Sequence, residues 1–333
     1  GLHAEKRGMD RAAADYMAKF FGVNGLDPEK EVCHSIGSKP ALAILPLCFI
    51  NPGDVSLVTV PGYPVLGTHT RYVGGDVVKL PLLKENGFYP DLKSIKPDVA
   101  KRAKLFYVNY PNNPTGAAPS EEFFDRLISF ADRHNILVVQ DAAYATLVYG
   151  REGLSILSRP GGKDVAIELH SMSKSYNMTG WRLGFVAGSA RVVQAYAEVK
   201  DNVDSGQFKA VQLAACAGIA DKNLSDKIRE HYRKRLVKLV KALRGAGFDA
   251  AMPGGTFYLY VPAPAGAGSI TFSTAEQASQ HLIKNHLIST VPWDDVGNFL
   301  RFSATFESAG PKDDARVIEE LARRLKHAGL RWQ

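Results

Sequence analysis

Apolar, strand-like runs alternate with helical patterns along most of this 333-residue chain. Such alternation is typical of helices packed on a mostly parallel sheet, because parallel strands need crossover connections between them. It predicts an α/β fold. The predicted strands of the main sheet are Val55–Val60, Leu105–Asn109, Ile136–Gln140, Val165–Leu169 and Leu183–Ala187.

Helical patterns fill much of the rest of the chain. Ser120 is placed to cap one of them, with Glu121 and Glu122 in its first turn, where acids suit the helix dipole. Ser273 and Glu276 have the spacing of a capping box. The predicted helices are Met9–Phe21, Ser38–Ile50, Ser120–His134, Ser225–Arg244, one from Thr274, and Lys312–His327.

The chain is too long for one ordinary core, which indicates two domains. The charged helix Ser225–Arg244 stops before two glycines and would connect them. The segment after it contains two further strands, Thr256–Val261 and Leu300–Ser303. We therefore predict a large domain over residues 1–224, which would bind a cofactor, and a small C-terminal domain over residues 225–333.

The net charge of +7 and the pI of about 9.1 allow anionic partners, but the basic residues are scattered. Their densest run, His231–Arg235, lies in a helical pattern, and no basic stripe interleaved with aromatics is present, so we expect no nucleic-acid partner. The longest apolar run, Ala41–Ile50, contains a proline and is too short to span a bilayer, so we expect no membrane partner. Three cysteines without metal-ligand spacing predict no metal site and reduced thiols in a cytoplasmic protein.

The segment Ser171–Arg182 reads Ser-Met-Ser-Lys-Ser-Tyr-Asn-Met-Thr-Gly-Trp-Arg and follows an apolar strand-like run. Lys174 stands between small hydroxyl residues, with Arg182 eight positions on. A lysine in this setting can hold an aldehyde cofactor as a Schiff base, while Ser171, Ser173 and Arg182 hold that cofactor's phosphate. Taken alone, Lys174 could also be a surface lysine in a polar loop.

Three polar residues follow predicted strands of the main sheet. Asp141 closes one strand, and a carboxylate at the carboxyl end of a parallel strand points into the ligand crevice of such a sheet. Tyr144 comes three positions later. Asn113 lies in Asn-Pro-Thr-Gly, 28 residues before Asp141, in a turn stiffened by two prolines. Considered one at a time, these residues could be a turn cap, a core tyrosine and a plain loop residue.

Further candidates lie outside these motifs. Ser38 and Lys39 open a helix after Gly37, so their backbone N–H groups could bind a phosphate. Tyr63 lies in Pro-Gly-Tyr-Pro and could stack on a planar ring. Arg301, inside an apolar strand, needs an anionic partner. The alternatives are an ordinary helix entry, a packing tyrosine and a structural salt bridge.

Together, in this order, the motifs resemble those of the pyridoxal-phosphate-dependent aminotransferases of fold type I. The matching elements are the lysine segment, Asp-x-x-Tyr at Asp141, Asn-Pro-Thr-Gly at Asn113 and the distal arginine Arg301. The resemblance covers nearly the whole chain, from about Gly22. It implies a mostly parallel large-domain sheet flanked by helices and a smaller α+β C-terminal domain.

The resemblance also implies roles for these residues. Lys174, Asp141 and Tyr144 would be catalytic, with Lys174 as anchor and proton carrier and Asp141 on the pyridine nitrogen. Tyr144 and Asn113 would bind the cofactor's phenolic oxygen, and Arg301, with Asn113, would bind the substrate α-carboxylate. The implied contacts to the rest of pyridoxal 5′-phosphate come from Ser38, Lys39, Tyr63, Ser171, Ser173 and Arg182.

The segments Ile167–Arg182 and Val203–Phe208 resemble the LL-diaminopimelate aminotransferase branch of this family. That resemblance implies amino transfer between an amino acid and a 2-oxo acid in lysine biosynthesis, with glutamate and 2-oxoglutarate as the other pair. An alanine, aspartate or aromatic aminotransferase is the alternative within the family. A pyridoxal-phosphate lyase and a non-catalytic regulator are alternatives of other classes.

Two segments depart from the family pattern. Residues 1–8 match poorly, and the family's N-terminal arm, which packs on the partner subunit of a homodimer with shared active sites, is expected to be missing; a lost transit peptide would allow a plastid location. The loop Val291–Gly297 places Trp293, Asp294 and Asp295 where the family often has Pro-Gly-x-x-Phe-Gly. This loop is either solvated or a receptor for a cationic distal group of the substrate.

Overall fold

The computed structural model describes residues 2–204 and 206–332. For residues 2–7 and for residue 222 it describes the backbone alone. Ser205, which belongs to the Val203–Phe208 segment, lies outside the described residues. Within these ranges the α-helices are α1 (Leu2–Phe21), α2 (Ser38–Phe49), α3 (Val65–Tyr72), α4 (Pro97–Arg102), α5 (Glu121–His134), α6 (Gly162–Val165), α7 (Met172–Ser175), α8 (Ala190–Val203), α9 (Lys209–Ala220), α10 (Lys222–Gly245), α11 (Ala275–His286) and α12 (Pro311–His327).

The strands form one large sheet and two small ones. Among the described residues the main sheet has seven strands in the order β1-β7-β6-β5-β4-β2-β3, and β7 runs antiparallel to β1 and β6, whereas the other neighbouring strands are parallel. The small sheets, β10-β9-β13 and β11-β12-β8, are antiparallel. The strands are β1 (Val32–Ser35), β2 (Val55–Val60), β3 (Asp76–Pro81), β4 (Ala103–Asn109), β5 (Leu137–Asp141), β6 (Ala166–Ser171), β7 (Gly184–Gly188), β8 (Tyr258–Pro262), β9 (Gly266–Ala267), β10 (Ile270–Thr271), β11 (Val291–Trp293), β12 (Phe299–Ser303) and β13 (Leu330–Arg331).

The central strands of the main sheet are buried on both faces. Along β4, Phe106 packs into one hydrophobic core, and Leu105 and Tyr107 pack into another on the opposite face. This alternation follows from the two-residue side-chain period of a strand and needs helices on both sides of the sheet. Because β4, β5 and β6 are parallel neighbours, their carboxyl ends meet at one edge of the sheet.

The predicted α/β fold with a mostly parallel sheet is confirmed. Strand β2 has the predicted bounds, and Ser120 caps α5 by accepting a hydrogen bond from the Phe123 N–H at 3.1 Å. The capping box at Ser273 and Glu276 was wrong. Thr274 is the N-cap of α11, and its hydroxyl accepts from the Gln277 N–H at 3.2 Å.

The prediction missed several elements of the main sheet and its helices. Strands β1 and β3 are edge strands. Because β1 has four residues and β3 carries exposed residues at both ends, neither has the long apolar run of a central strand. Helices α3, α8 and α9 were also missed, and α1 and α10 begin earlier than predicted. Asp221 caps α10 by accepting from the Asn223 N–H at 2.9 Å.

A third hydrophobic core lies under β8 and β12. It contains side chains from α10, α11 and α12, and also Ala143, Tyr144 and Leu147 from the segment that follows β5. The segment that carries Tyr144 is therefore packed into the small-sheet core as well as joined to the main sheet. No helix in the described parts of the chain is both long and apolar enough to cross a membrane.

Candidate active site

Lys174 lies in the short helix α7, directly after β6. Ser171 begins this helix, and its hydroxyl accepts a hydrogen bond from the Ser173 N–H at 3.2 Å. The Lys174 amine lies 5.9 Å from the centre of the Phe257 ring. Burial, followed by the positive charges of Arg182 and Arg301, lowers the pKa of Lys174 below its usual value. A lowered pKa leaves more of the neutral amine, which is the nucleophilic form.

Asp141 is the last residue of β5 and is 5% exposed. Burial raises the pKa of its carboxyl group to about 6, opposed by hydrogen bonds from the Ala143 N–H and the Tyr107 hydroxyl. These bonds are 3.3 Å and 3.4 Å long. A cationic N–H group placed against this carboxylate would favour its charged form. Tyr107, in the neighbouring strand β4, was not identified from the sequence.

Asn113 is held in place by Asn109, the last residue of β4. The Asn109 side chain accepts from the Asn113 N–H at 2.8 Å and donates to the Asp141 carbonyl at 2.8 Å. One amide therefore fixes the spacing between two predicted site residues. Asn109 was also missed, although its position at the end of a buried strand just before Asn-Pro-Thr-Gly would have been a signal for it.

Arg301 projects from β12 towards the same edge of the main sheet. Its Nη1 donates to the Asn113 side-chain oxygen at 2.6 Å, and its guanidinium carbon lies 4.0 Å from the centre of the Tyr258 ring. Its Nε is buried without a hydrogen-bond partner. An unpartnered guanidinium donor fits an incoming carboxylate, which binds arginine through two parallel hydrogen bonds.

Tyr144 lies in the same cluster of side chains. Its hydroxyl donates to the hydroxyl of Tyr258 at 3.4 Å. Burial raises the pKa of Tyr144 well above its usual value, and the charge of Arg301 opposes this rise. Tyr144 is therefore a protonated hydrogen-bond donor at neutral pH. Tyr258 is a further site residue that the sequence motifs did not indicate.

Arg182 and Gly37 form an anion-binding corner. Nη1 of Arg182 donates to the Ser173 hydroxyl at 3.2 Å and to the Thr179 carbonyl at 2.9 Å. A methyl group added at Gly37 would lie 2.7 Å from Nη2 of Arg182, so only glycine leaves room for the guanidinium. Gly37 has no side chain to cap α2, whose first residues are Ser38 and Lys39. The dipole and first N–H groups of α2 thus face an arginine and a hydroxyl.

Tyr63 lies between β2 and α3, half-buried against the hydrophobic core that contains Tyr107. This packing places it on one face of the main sheet, and its stacking role stays a prediction. The other candidates supply an amine of lowered pKa, a buried acid, a tyrosine donor, an anion-binding corner and an unpartnered arginine donor. Pyridoxal 5′-phosphate requires an amine, an acid, a phenol donor and an anion site of this kind, so the residues present fit this cofactor.

Two residues of the Trp293–Asp295 loop, Trp293 and Asp294, have structural roles. Strand β11 includes Trp293 and pairs with β12. The Asp294 carboxylate accepts hydrogen bonds from the N–H groups of Ala275 and Glu276, at 2.6 Å and 3.1 Å. Asp294 therefore stabilises the N-terminus of α11, and Asp295 remains the candidate in this loop for binding a cationic group.

We expect Asp294→Ala to lower the free energy of unfolding by about 1 kcal/mol, because two N–H groups at the start of α11 lose their acceptor. Asp294→Asn keeps an acceptor oxygen and should lose less. Urea unfolding measures both. A KM increase for substrate in Asp294→Ala at unchanged stability would contradict this assignment and return Asp294 to substrate binding.

Comparison with known proteins gives a consistent result. The family model for aminotransferase class I and II matches residues 9–314. The LL-diaminopimelate aminotransferase of Methanocaldococcus jannaschii is 52% identical over 330 residues, covering 97% of this chain and 79% of that protein. The LL-diaminopimelate aminotransferase of Methanococcus maripaludis is 52% identical over 316 residues, covering 93% of this chain and 76% of that protein.

Solved structures show the same fold. The apo structure of BacF from Bacillus subtilis superposes with a TM-score of 0.90 at 31% sequence identity, covering 97% of this chain and 80% of that one. The agreement extends over both the main sheet and the smaller sheets, since nearly the whole chain is covered.

Proposed function

This chain belongs to the class I and II aminotransferases, which use pyridoxal phosphate, and from that membership we propose that it transfers an amino group from LL-diaminopimelate to 2-oxoglutarate. The observation that carries this proposal is the 52% identity to two aminotransferases of that name over more than nine-tenths of the chain. Lysine biosynthesis is the pathway that this substrate implies.

When bound, pyridoxal phosphate supplies an electron sink that allows the substrate Cα–H bond to ionise. Lys174 would hold the cofactor's aldehyde carbon. Its amine, once freed, would take the substrate Cα proton as a base and give it, as an acid, to the cofactor carbon that it had held. The lowered pKa of Lys174 suits removal of the Cα proton, since a neutral amine can accept a proton. Asp141 would keep the ring nitrogen protonated through a charge-assisted hydrogen bond.

The remaining site residues would bind and orient. Arg301 would hold the substrate α-carboxylate, and its contact with Asn113 already fixes one side of its guanidinium group. Tyr144 and Asn113 would hydrogen-bond the phenolic oxygen of the cofactor, and Tyr63 would stack on its ring. The phosphate would bind at the corner formed by Ser38, Lys39, Ser171, Ser173 and Arg182.

Residues near Arg182 support a homodimer with active sites at the subunit interface. The Gln207 side chain donates to the Arg182 carbonyl at 2.6 Å, so Gln207 lies beside a residue of the phosphate corner. Large apolar side chains near this segment in the sequence are exposed, and a second copy of the chain could cover them. The exposed apolar residues are Trp181, Val203, Phe208 and Leu213.

We further propose a large cofactor-binding domain over residues 1–224 and a small domain over 225–333, supported by the small-sheet core, most of whose side chains come from residues 225–333. A cytoplasmic location is also proposed. It is supported by the three cysteines, all of them described residues, none of which forms a disulfide.

A half-reaction panel tests the substrate proposal. Cofactor-loaded protein is mixed with LL-diaminopimelate, glutamate, aspartate, alanine or phenylalanine, and the loss of cofactor visible absorbance is timed. We expect LL-diaminopimelate and glutamate to react with kcat/KM values far above those of the other three. Faster reaction with alanine, aspartate or phenylalanine would assign the chain elsewhere in the family.

The same samples separate the reaction classes. Release of ammonia, pyruvate or sulfide would indicate a lyase, and absence of any reaction would favour a regulator. Asp295→Asn tests distal recognition. Burial, and then the charges of Asp295 and Asp294, raise the pKa of Tyr260, so Asp295 acts close to a residue that pairs with Arg301 in the sheet. We expect this variant to raise KM for LL-diaminopimelate more than for glutamate. Equal increases would leave Asp295 without a role in discrimination.

A further inference from the structure

Tyr258 touches two residues that the proposed function assigns to different molecules. Its ring lies 4.0 Å from the guanidinium carbon of Arg301, and its hydroxyl lies 3.4 Å from that of Tyr144. Arg301 is assigned to the substrate carboxylate, and Tyr144 to the phenolic oxygen of the cofactor. Tyr258 is 9% exposed, so both contacts are made inside the protein.

The backbone before Tyr258 is held in an uncommon conformation. Thr256 is fully buried and has a φ of 68°, in the left-handed region that β-branched residues rarely occupy. Its N–H donates to the Leu147 carbonyl at 2.8 Å, and its carbonyl accepts from the Tyr149 hydroxyl at 2.7 Å. The Thr256 hydroxyl accepts from the Tyr258 N–H at 3.1 Å. Three hydrogen bonds therefore fix the backbone just before Tyr258.

The hydroxyl pair has a consequence for proton placement. Tyr144 has one hydroxyl proton, which it donates to Tyr258 in this structure. When an acceptor oxygen binds at Tyr144, that proton turns to the new acceptor. The contact between the two tyrosines then persists only if Tyr258 becomes the donor. A hydroxyl that accepts a hydrogen bond is a stronger donor, because chains of hydrogen bonds polarise one another.

The ring of Tyr258 acts on Arg301 in a separate way. A guanidinium group over an aromatic face is attracted by the ring quadrupole, and the attraction is larger away from water. With Asn113 on Nη1 and the ring on its face, the guanidinium keeps one orientation, and its Nε stays without a partner. The donors that remain are therefore directed before any carboxylate arrives.

We propose that Tyr258 is a positioning residue that serves both groups at once: its hydroxyl strengthens Tyr144 as a donor to the cofactor, and its ring orients Arg301 for the substrate carboxylate. The inference rests on the proposed function. It predicts that the two effects can be separated, because the hydroxyl can be removed alone or together with the ring.

The test compares Tyr258→Phe, Tyr258→Leu and the matched control Tyr149→Phe in cofactor-loaded protein. Tyr149→Phe removes a hydroxyl that braces the same segment through Thr256 but has no contact with Tyr144 or Arg301 in the described structure. The first readout is the pH midpoint of the cofactor's visible absorbance change. The second is the affinity for glutarate, a dicarboxylate that cannot react, measured by calorimetry.

We expect Tyr258→Phe to raise the pH midpoint by a few tenths of a unit, since a weaker donor leaves more electron density on the phenolic oxygen. Its glutarate affinity should stay within about twofold of the wild type, because the ring remains. Tyr258→Leu should raise the midpoint equally and weaken glutarate roughly tenfold, because the ring is lost. Tyr149→Phe should lower the melting temperature and leave both readouts unchanged.

Three results would overturn the proposal. An unchanged midpoint in Tyr258→Phe would exclude the hydroxyl role, and equal glutarate affinities in the Phe and Leu variants would exclude the ring role. Shifts of the same size in Tyr149→Phe would show that only the rigidity of the segment matters. The proposed amino donor, LL-diaminopimelate, and amino acceptor, 2-oxoglutarate, are tested separately in the substrate panel. A failure there would not affect this test, because neither glutarate binding nor the absorbance midpoint depends on which amino acid reacts.

Discussion

Lys174→Ala should abolish amino transfer, with a fall in kcat of about 10⁴-fold or more, because the variant loses both the nucleophile and the proton carrier. The visible absorbance that depends on the bond between Lys174 and the cofactor should disappear as well. The structure supports this expectation by placing the amine among Phe257, Arg182 and Arg301, in surroundings that lower its pKa. Single-turnover absorbance and steady-state transfer to 2-oxoglutarate measure the two effects.

Lys84→Ala is the control for this substitution. Lys84 is an exposed lysine whose amine bonds to Asp249 at 2.7 Å on the surface, so its loss should change stability little and turnover not at all. Retained turnover in Lys174→Ala would contradict the proposed mechanism, because the nucleophile and the proton carrier are both assigned to Lys174.

Asp141→Ala should lose about 10³-fold in kcat and bind the cofactor more weakly, because an uncharged residue cannot keep the ring nitrogen protonated. Asp141→Asn preserves the shape of the side chain without its charge and should lose rate to a similar extent. Cofactor affinity by equilibrium dialysis and kcat by steady-state assay test both variants. Asp132→Asn, an exposed change on α5, is the control. Near-normal turnover in Asp141→Asn would show that the negative charge of Asp141 is not required for amino transfer.

The Asp141 carboxylate should also make the free energy of unfolding of the cofactor-free protein depend on pH. Burial raises the pKa of Asp141 to about 6, above its usual value, so the folded state binds this proton more tightly than the unfolded state. The resulting stability is present at low pH and is lost as pH rises through about 6. The free energy of unfolding of wild type relative to Asp141→Asn should therefore fall by up to about 3 kcal/mol between pH 4 and pH 7. A difference that does not change with pH would contradict the shift.

The sequence predicts the fold and much of the site because the motifs are local and the strands that carry them are parallel. Asp141 and Ser171 end neighbouring strands, and Asn113 follows the next strand, so a parallel sheet brings them to one edge. Arg301 was identified as an arginine in an apolar strand, and its unpartnered Nε agrees with that reasoning.

The residues that were missed act through contacts between distant segments. Tyr107, Asn109 and Tyr258 bond to or pack on predicted site residues, but each looks like an ordinary core or strand-end residue in the sequence. Asp294 shows the opposite case. Its charge and position were compatible with a solvated loop or with substrate binding, but its carboxylate caps a helix 18 to 19 residues away in sequence. Pattern and spacing cannot distinguish these roles, because each depends on how separate segments meet.

The core under β8 and β12 includes Ala143, Tyr144 and Leu147, which come from the end of the main sheet. Unfolding of either the main sheet or the small-sheet core would expose apolar surface of the other, so the two parts should unfold in one cooperative transition. For the same reason, a fragment that ended before α10 would leave these three side chains facing water, and the turn that presents Tyr144 would lack the support that holds it in place.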